Sequence, residues 1–327
     1  MRRTLKFESC LKDDMKHFLE LRKSQGHNAD KEEYILFTLD RYLTSIKKEQ
    51  KDLGPETING WFLSLPEEMS INTKIVYISH YHQFANYLST VGIAAFIPER
   101  PMEDKSYTPY IFSEAEITSL IMAADTVVKE VRPSGRHNAI CFAVIMRLLC
   151  GCGMRLNEVL TLQTGDVDIE SGVLTVRCAK GNKDRIIPYH KSIGIVLSAF
   201  MKSSIPQENG LLFPSKNGKA LSNTASRNCF TKYLEIVGIK KKECKRYERN
   251  ICIHCLRHSF AVHSFRQMHN AGKDMYDEVP VLSTYMGHDS IYGTERYLHM
   301  STENSSDIIS MMEDYNHSQE IFPEVEV

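Results

Sequence analysis

The chain has 327 residues, 42% hydrophobic and 25% charged, with a formal net charge of -1. That is enough chain for two packed cores, while its longest apolar stretches, residues 71–88 and 140–149, are too polar or too short to cross a bilayer. The balanced charge hides an asymmetry: residues 301–327 carry seven acids and no Lys or Arg, which leaves 40 bases against 34 acids in the rest.

Helical periodicity dominates the first hundred residues. Apolar side chains recur at Leu11, Met15 and Phe18, at Ile35, Leu39, Tyr42, Leu43 and Ile46, and at Ile75, Ile78, Tyr81, Ala85 and Leu88. This is the spacing of one buried helix face. Gly26 and Asn28 separate the first helix from the second, while Gly54-Pro55 opens a short helix around the single tryptophan, Trp61, and Pro66 closes it. A bundle of three or four helices is predicted for residues 1–103, its aromatic and Met positions serving as core. Pro98, Pro101 and Pro109 punctuate a polar stretch without period, which predicts an extended linker at residues 104–109. Two lobes joined in this way can close around a cylinder.

Ser113 and Glu116 have the spacing of a capping box, in which hydroxyl and carboxylate each satisfy a backbone amide of the first helical turn. A second domain over residues 110–327 is predicted to start there. Residues 138–150 are apolar on nearly every side, the pattern of a helix buried inside that domain, and Gly151-Cys152-Gly153 ends it. A further helix is predicted at 154–162, followed by Asp166-Val167-Asp168 and two β-rich runs at 173–177 and 185–189 with the turn signal Gly181-Asn182 between them. The expected fold class is mainly α with a small β-sheet.

Several side chains in this second domain suit phosphate chemistry. Arginine binds two phosphate oxygens with one planar fork and stays charged at any working pH. Arg155 follows a glycine break, where a helix start also offers backbone amides to an anion. Glu158 is three residues on and can hold that guanidinium, although a surface ion pair is the plainer reading. His254, Arg257 and His258 stand at i, i+3 and i+4, so one helix face presents all three to a single phosphate. A histidine there can move a proton, and Arg257 completes a two-arginine clamp.

Zinc is the competing idea for the paired histidines, but Cys255 stands where the metalloprotease pattern requires Glu. Cys252-Ile253-His254-Cys255 has the spacing of a zinc half-site with no second pair at finger distance, so neither metal nor cofactor is expected. The nine cysteines lack the spacing of a disulfide framework and the N-terminus lacks a signal-peptide core, which predicts a soluble protein of the reducing cytoplasm. Lys240, Lys241, Lys242, Lys245, Arg246 and Arg249 crowd together just before His254. They read as a salt-sensitive contact to phosphates, or as a solvated lysine-rich loop. A tyrosine nucleophile, with a free pKa of about 10, needs positive charge around it. Tyr276, Tyr285, Tyr292 and Tyr297 are all near; Arg296 and His299 flank Tyr297, but spacing alone does not choose among the four.

Gly153-Met154-Arg155-Leu156-Asn157-Glu158, Lys180-Gly181-Asn182-Lys183-Asp184-Arg185, His254-Cys255-Leu256-Arg257-His258, Gly287-His288 and Tyr297-Leu298-His299 resemble, in this order, the tyrosine recombinase (phage integrase) family. The resemblance covers about residues 110–300, and the helical bundle before it is similar to that family's SAM-like core-binding domain. It implies a C-terminal tyrosine recombinase catalytic domain in which Arg155 and Arg257 clamp the scissile phosphate. Tyr297 would form a 3′-phosphotyrosyl bond, His254 would act as general acid/base, and His288 would hydrogen-bond the phosphate. Lys180, with Lys183 as its rival, would protonate the leaving 5′-oxygen; Glu158 and His258 would support the site.

The resemblance further implies double-stranded DNA as partner, a homotetramer on synapsed DNA, accessory DNA-bending proteins, and neither nucleotide nor metal. A C-terminal face of Ile308, Ile309, Met311 and Met312 would dock on a neighbouring subunit. The Tyr297-Leu298-His299-Met300 ending is similar to integrases of bacterial transposons, which implies integration or excision of a mobile element. Residues 267–279 are more polar than the usual form and predict an interrupted helix, and no arm-binding domain is expected before residue 5. A relaxing topoisomerase of the same chemistry and a DNA-binding regulator without catalysis are the rival readings.

Overall fold

The computed structural model describes residues 5–102, 108–177, 184–203, 210–240, 250–288 and 290–302. Lys180 and Lys183, the Gly181-Asn182 turn, Lys241, Lys242, Lys245, Arg246, Arg249 and the Ile308, Ile309, Met311 and Met312 face lie outside the described residues. Contacts divide the chain into two compact units, with the break between Thr108 and Pro109.

The first unit contains α1 (Lys12–Ser24), α2 (Asp30–Ser45), α3 (Pro55–Ser64) and α4 (Ile71–Thr90). Pro55 occupies the opening turn of α3, where its missing N–H costs nothing. The Ser70 hydroxyl caps α4 by accepting from the Thr73 N–H at 3.2 Å. Leu11, Met15, Phe18, Ile35, Leu39, Trp61, Tyr81 and Phe84 meet in one core. Buried Asp40 accepts the Glu8 and Ser9 amides, each at 2.9 Å, and so ties the start of the chain to α2. Ile46 departs from the predicted face: α2 ends at Ser45, and Ile46 just past it is 45% exposed.

The second unit contains α5 (Glu114–Glu130), α6 (Pro133–Cys152), α7 (Leu156–Leu160), β1 (Val167–Asp168), β2 (Val173–Val176), β3 (Arg185–Pro188), α8 (Lys191–Ser203), α9 (Asn223–Val237), α10 (His254–Asn270), α11 (Met275–Met286) and α12 (Tyr292–Thr302). The capping box forms as predicted, the Ser113 amide donating to Glu116 Oε2 at 2.8 Å and the Glu116 amide to Ser113 Oγ at 3.2 Å. α6 buries residues on most of its circumference, from Cys141 to Met146 and again at Leu148 and Leu149. Burial of side chains of this kind stabilises by about 1.5–3 kcal/mol each, so α6 is the element the others pack around.

The strands form one antiparallel sheet in the order β1-β2-β3, with Val176 opposite Arg185. β1 has only two residues, too few for an alternation signal. The helix predicted at 154–162 begins only at Leu156, because Gly153 turns the chain with a left-handed φ of 58° and Arg155 stays extended as the N-cap. The interruption predicted within 267–279 is present: α10 ends at Asn270, and Asp274 caps α11 by accepting the Tyr276 amide at 2.8 Å. Among the described residues no helix is long and apolar enough to cross a membrane.

Candidate active site

The last turn of α11 leaves carbonyl groups without helical partners. Three arginines take three consecutive ones. Arg185 Nε donates to the Tyr285 carbonyl at 3.0 Å, Arg257 Nη2 to Met286 at 2.7 Å, and Arg155 Nη2 to Gly287 at 2.6 Å. Cations at a helix C-terminus are also favoured by its dipole. Since Arg155 caps α7, Arg185 opens β3 and Arg257 lies one turn into α10, three separate stretches of sequence are pinned at one point.

Two glycines permit this approach. Gly287 has a φ of 65°, and a Cβ there would come within 2.9 Å of Arg185 Nη1. Gly153, also left-handed, accepts from Arg257 Nη1 at 2.7 Å through its carbonyl, and a Cβ on it would collide with the Phe260 ring.

Glu158 binds two of the arginines. Arg185 donates to its Oε1 and Oε2 at 3.0 and 2.8 Å, Arg155 Nη1 to Oε1 at 2.9 Å, and the Arg155 amide to Oε2 at 2.8 Å. Burial pushes this carboxyl up, but the Arg185 bonds and then those of Arg155 outweigh it and hold the pKa down at about 2. The predicted Arg155–Glu158 pair therefore exists inside a tighter one with Arg185. Arg185 is a member of this site that no spacing in the sequence points to, since it lies at the end of the lysine turn, 27 residues from Glu158. Arg257 is 2% exposed, and burial, helped by nearby Arg155, lowers it to about 10, which still leaves it a cation at neutral pH. Three guanidiniums around one carboxylate leave an excess of positive charge suited to an anion.

Tyr297, on α12, is 3% exposed and its hydroxyl shares a 2.7 Å hydrogen bond with His258 Nδ1. The His254 ring stands edge-on to His258 at 4.7 Å, and the His288 ring stacks on Tyr297 at 6.1 Å. Thr294 Oγ1 engages His288 Nδ1 at 2.6 Å. Burial first, then the positive fields of His254, Arg296, Arg257 and His288, lowers His258 to about 3. Burial and then Arg257, Arg155, Arg185 and His254 lower His288 to about 4. Both imidazoles are thus neutral near pH 7. The Tyr297 phenol is raised by burial, and Arg257, Arg296 and Arg155 offset only part of that effect. The positive surroundings expected of a nucleophilic tyrosine are present, yet the phenol stays protonated.

Arg155, Glu158, His254, Arg257, His258, His288 and Tyr297 therefore form one connected cluster. Of the other tyrosines, Tyr292 is 82% exposed, Tyr276 is exposed, and Tyr285 donates to the Pro188 carbonyl at 3.2 Å. A cleft of about 870 Å³ opens beside the cluster, bordered by Arg155, Asn157, Arg177, Asn223, Arg227 and His254. Arg177 and Arg227 come from the end of β2 and from α9, and nothing in their local sequence singles them out. Lys240 of the lysine-rich segment is exposed. Among the described residues no group of three or more His, Cys, Asp or Glu could hold a metal ion.

Residues 111–304 match the sequence profile of the Phage integrase family. The chain belongs to the phage integrase family. A tyrosine recombinase of Thermosipho africanus (strain TCF52B) is 26% identical over 307 residues, covering 92% of this chain and 91% of the relative. In fold this chain is similar to the XerH site-specific recombinase bound to palindromic difH substrate in a post-cleavage complex, with a TM-score of 0.63, 19% identity and coverage of 85% and 78% of the two chains. It is also similar to the Tn1549 transposon integrase in complex with a circular intermediate DNA, with a TM-score of 0.56, 16% identity and coverage of 87% and 94%. The helical second unit with its small sheet is the tyrosine recombinase catalytic fold, and family membership implies DNA cleavage and rejoining.

Proposed function

We propose that the protein is a site-specific recombinase that cuts and rejoins double-stranded DNA through a 3′-phosphotyrosyl intermediate on Tyr297. The observation that carries this reading is the convergence of Arg155, Arg257, His254 and His288 with the buried Tyr297 hydroxyl, bonded to His258, in one cationic cluster. A scissile phosphate in the adjoining cleft is clamped by Arg155 and Arg257, each Nη of which carries a second hydrogen beyond the one given to the protein. His288, with Nδ1 engaged by Thr294, turns Nε2 to the phosphate.

The Tyr297 oxygen attacks phosphorus and the bond to the 5′-oxygen breaks, its electron pair leaving with that oxygen. Lys180, or Lys183, supplies the proton the leaving oxygen needs. The phenolic proton passes to neutral His258, with His254 beside it as the general acid/base partner. Rejoining is the same path in reverse, the energy being kept in the protein–DNA ester, so that neither metal nor nucleotide takes part. Residues 110–327 serve as the catalytic domain and residues 1–103 as the core-binding domain, with Lys240, Lys241, Lys242, Lys245, Arg246 and Arg249 on the DNA backbone. Exchange takes place in a homotetramer on synapsed DNA, with accessory DNA-bending proteins, in the cytoplasm. Integration or excision of a mobile element is supported by the similarity to a transposon integrase.

A nicked suicide substrate tests the reading. Wild type should form a covalent adduct that maps to the peptide of Tyr297 and to a 3′ DNA end. Tyr297→Phe should abolish the adduct and keep DNA binding, whereas Tyr292→Phe should keep both. Wild type that binds the substrate without forming an adduct, or an adduct on another tyrosine, would overturn it.

A further inference from the structure

Cys252 and Cys255 bracket His254, and none of the steps above uses them. Cys252 lies just ahead of α10 and is exposed, while Cys255, in the first turn, is buried. Their Sγ atoms are 4.0 Å apart. The backbone holds them there, the Cys255 amide donating to the Cys252 carbonyl at 2.9 Å and the Cys252 amide to Cys255 Sγ at 3.5 Å. An outer thiol in solvent and an inner one beneath it at a helix start is an arrangement suited to thiol–disulfide exchange.

The two thiols differ in chemistry. The Cys255 thiol, then the amides of His254 and Cys255 and the Arg227 guanidinium, lower Cys252 to about 6 against the opposing effect of burial, so that it is largely thiolate at neutral pH. The contact with Cys252 and burial push Cys255 well up. Burial also raises Cys10, Cys141, Cys150, Cys152 and Cys229. Among the described cysteines Cys252 alone is activated.

We propose that Cys252 and Cys255 form a reversible disulfide, and that this bond is a redox switch on the helical turn that carries His254. The oxidant is a low-molecular-weight disulfide. The Cys252 thiolate attacks one of its sulfurs, giving a mixed disulfide and expelling one thiolate. Cys255 gives its proton to that thiolate and attacks Cys252 Sγ, expelling the second, which is protonated by solvent. Two electrons pass from the cysteine pair to the oxidant, which departs as two thiols. Closing the bond draws the buried Cys255 towards Cys252 and shifts the turn between them, displacing His254 from His258 and reducing cleavage. This last step rests on the recombinase reading; formation of the disulfide does not.

The full chain is incubated with oxidised glutathione, alkylated, digested without reductant and weighed, and its cleavage of the suicide substrate is followed in parallel. The peptide spanning Cys252 and Cys255 should be two hydrogens lighter and take up no alkylating agent. Cleavage should fall on the order of tenfold and return with dithiothreitol. Cys252→Ser should cleave at the reduced wild-type rate and ignore glutathione, while Cys255→Ala should hold one glutathione on Cys252. Two alkylated thiols in the treated wild type, or only glutathione on Cys252, would overturn the disulfide; a disulfide with unchanged cleavage would overturn the switch. Reduced wild type that forms no adduct counts against the recombinase reading, and the peptide mass still decides the disulfide.

Discussion

His258 shares a hydrogen bond with the Tyr297 hydroxyl, and His254, which the family resemblance puts forward as the proton-transfer group, stands edge-on to the His258 ring. Replacing His258 with Ala should lower cleavage by about two orders of magnitude, the usual reach of one proton-transfer group, with DNA binding kept; a wild-type cleavage rate would sink this role. The buried histidines also govern pH stability. Both His258 and His288 titrate below the ordinary 6.5, at about 3 and about 4, so below pH 6.5 the unfolded chain binds more protons than the folded one. Their contribution is complete above about 6.5 and is lost as pH falls towards 4 and then 3. Glu158, held at about 2 against 4.5, adds its own loss below 4.5 in the same direction. Calorimetry from pH 7 to 4 should show a falling melting temperature in wild type and a shallower fall in His258→Gln; equal slopes would refute the assignment. The Arg155–Glu158 pair has the predicted spacing but forms across the first turn of α7, from an extended Arg155 at the N-cap; the His254–Arg257–His258 relation was legible because three- and four-residue spacings report a helix face directly. Arg185 was not, because its partner Glu158 is 27 residues away and no periodicity connects a strand to a helix cap.

At the level of elements, the end of α11 is the most constrained junction. Gly287→Ala places a Cβ in a left-handed position and against the Arg185 guanidinium. Gly272 has a similar φ of 73° with nothing within 4 Å of a Cβ. Gly272→Ala should therefore cost about 1 kcal/mol of backbone strain with cleavage retained. Gly287→Ala should cost more and lose cleavage, as melting curves and the suicide-substrate assay would show; equal effects would mean that only strain matters. The capping box at Ser113 and the buried α6 were readable from residue type and hydrophobic pattern, and so was the break between α10 and α11. The late start of α7 was not, since an extended Arg155 just past the glycine break carries no mark in the sequence that distinguishes it from a helical one, and the two-residue β1 exists only through its pairing with β2.

Across the whole molecule, a formal net charge of -1 coexists with a cleft lined by Arg155, Arg177 and Arg227 against Glu158 and Asp166. The charge reading placed the DNA contact in the run from Lys240 to Arg249, which is visible because it is contiguous. Arg177 and Arg227 stand 50 positions apart in the sequence, and only the fold brings them to the same rim. DNA affinity measured by fluorescence anisotropy should fall linearly with salt on logarithmic axes. Arg227→Ala should reduce that slope by about 0.9, one phosphate contact, and weaken all sequences alike; an unchanged slope would remove Arg227 from the interface. The oxygens at 285, 286 and 287 that hold three distant cations belong to the main chain, so exchanging the side chains at those positions leaves them in place. Alanine scanning would find the arginines, and Gly287 through the clash of its added Cβ, but would leave the carbonyls themselves untouched, which amide-to-ester replacement along that turn would reveal.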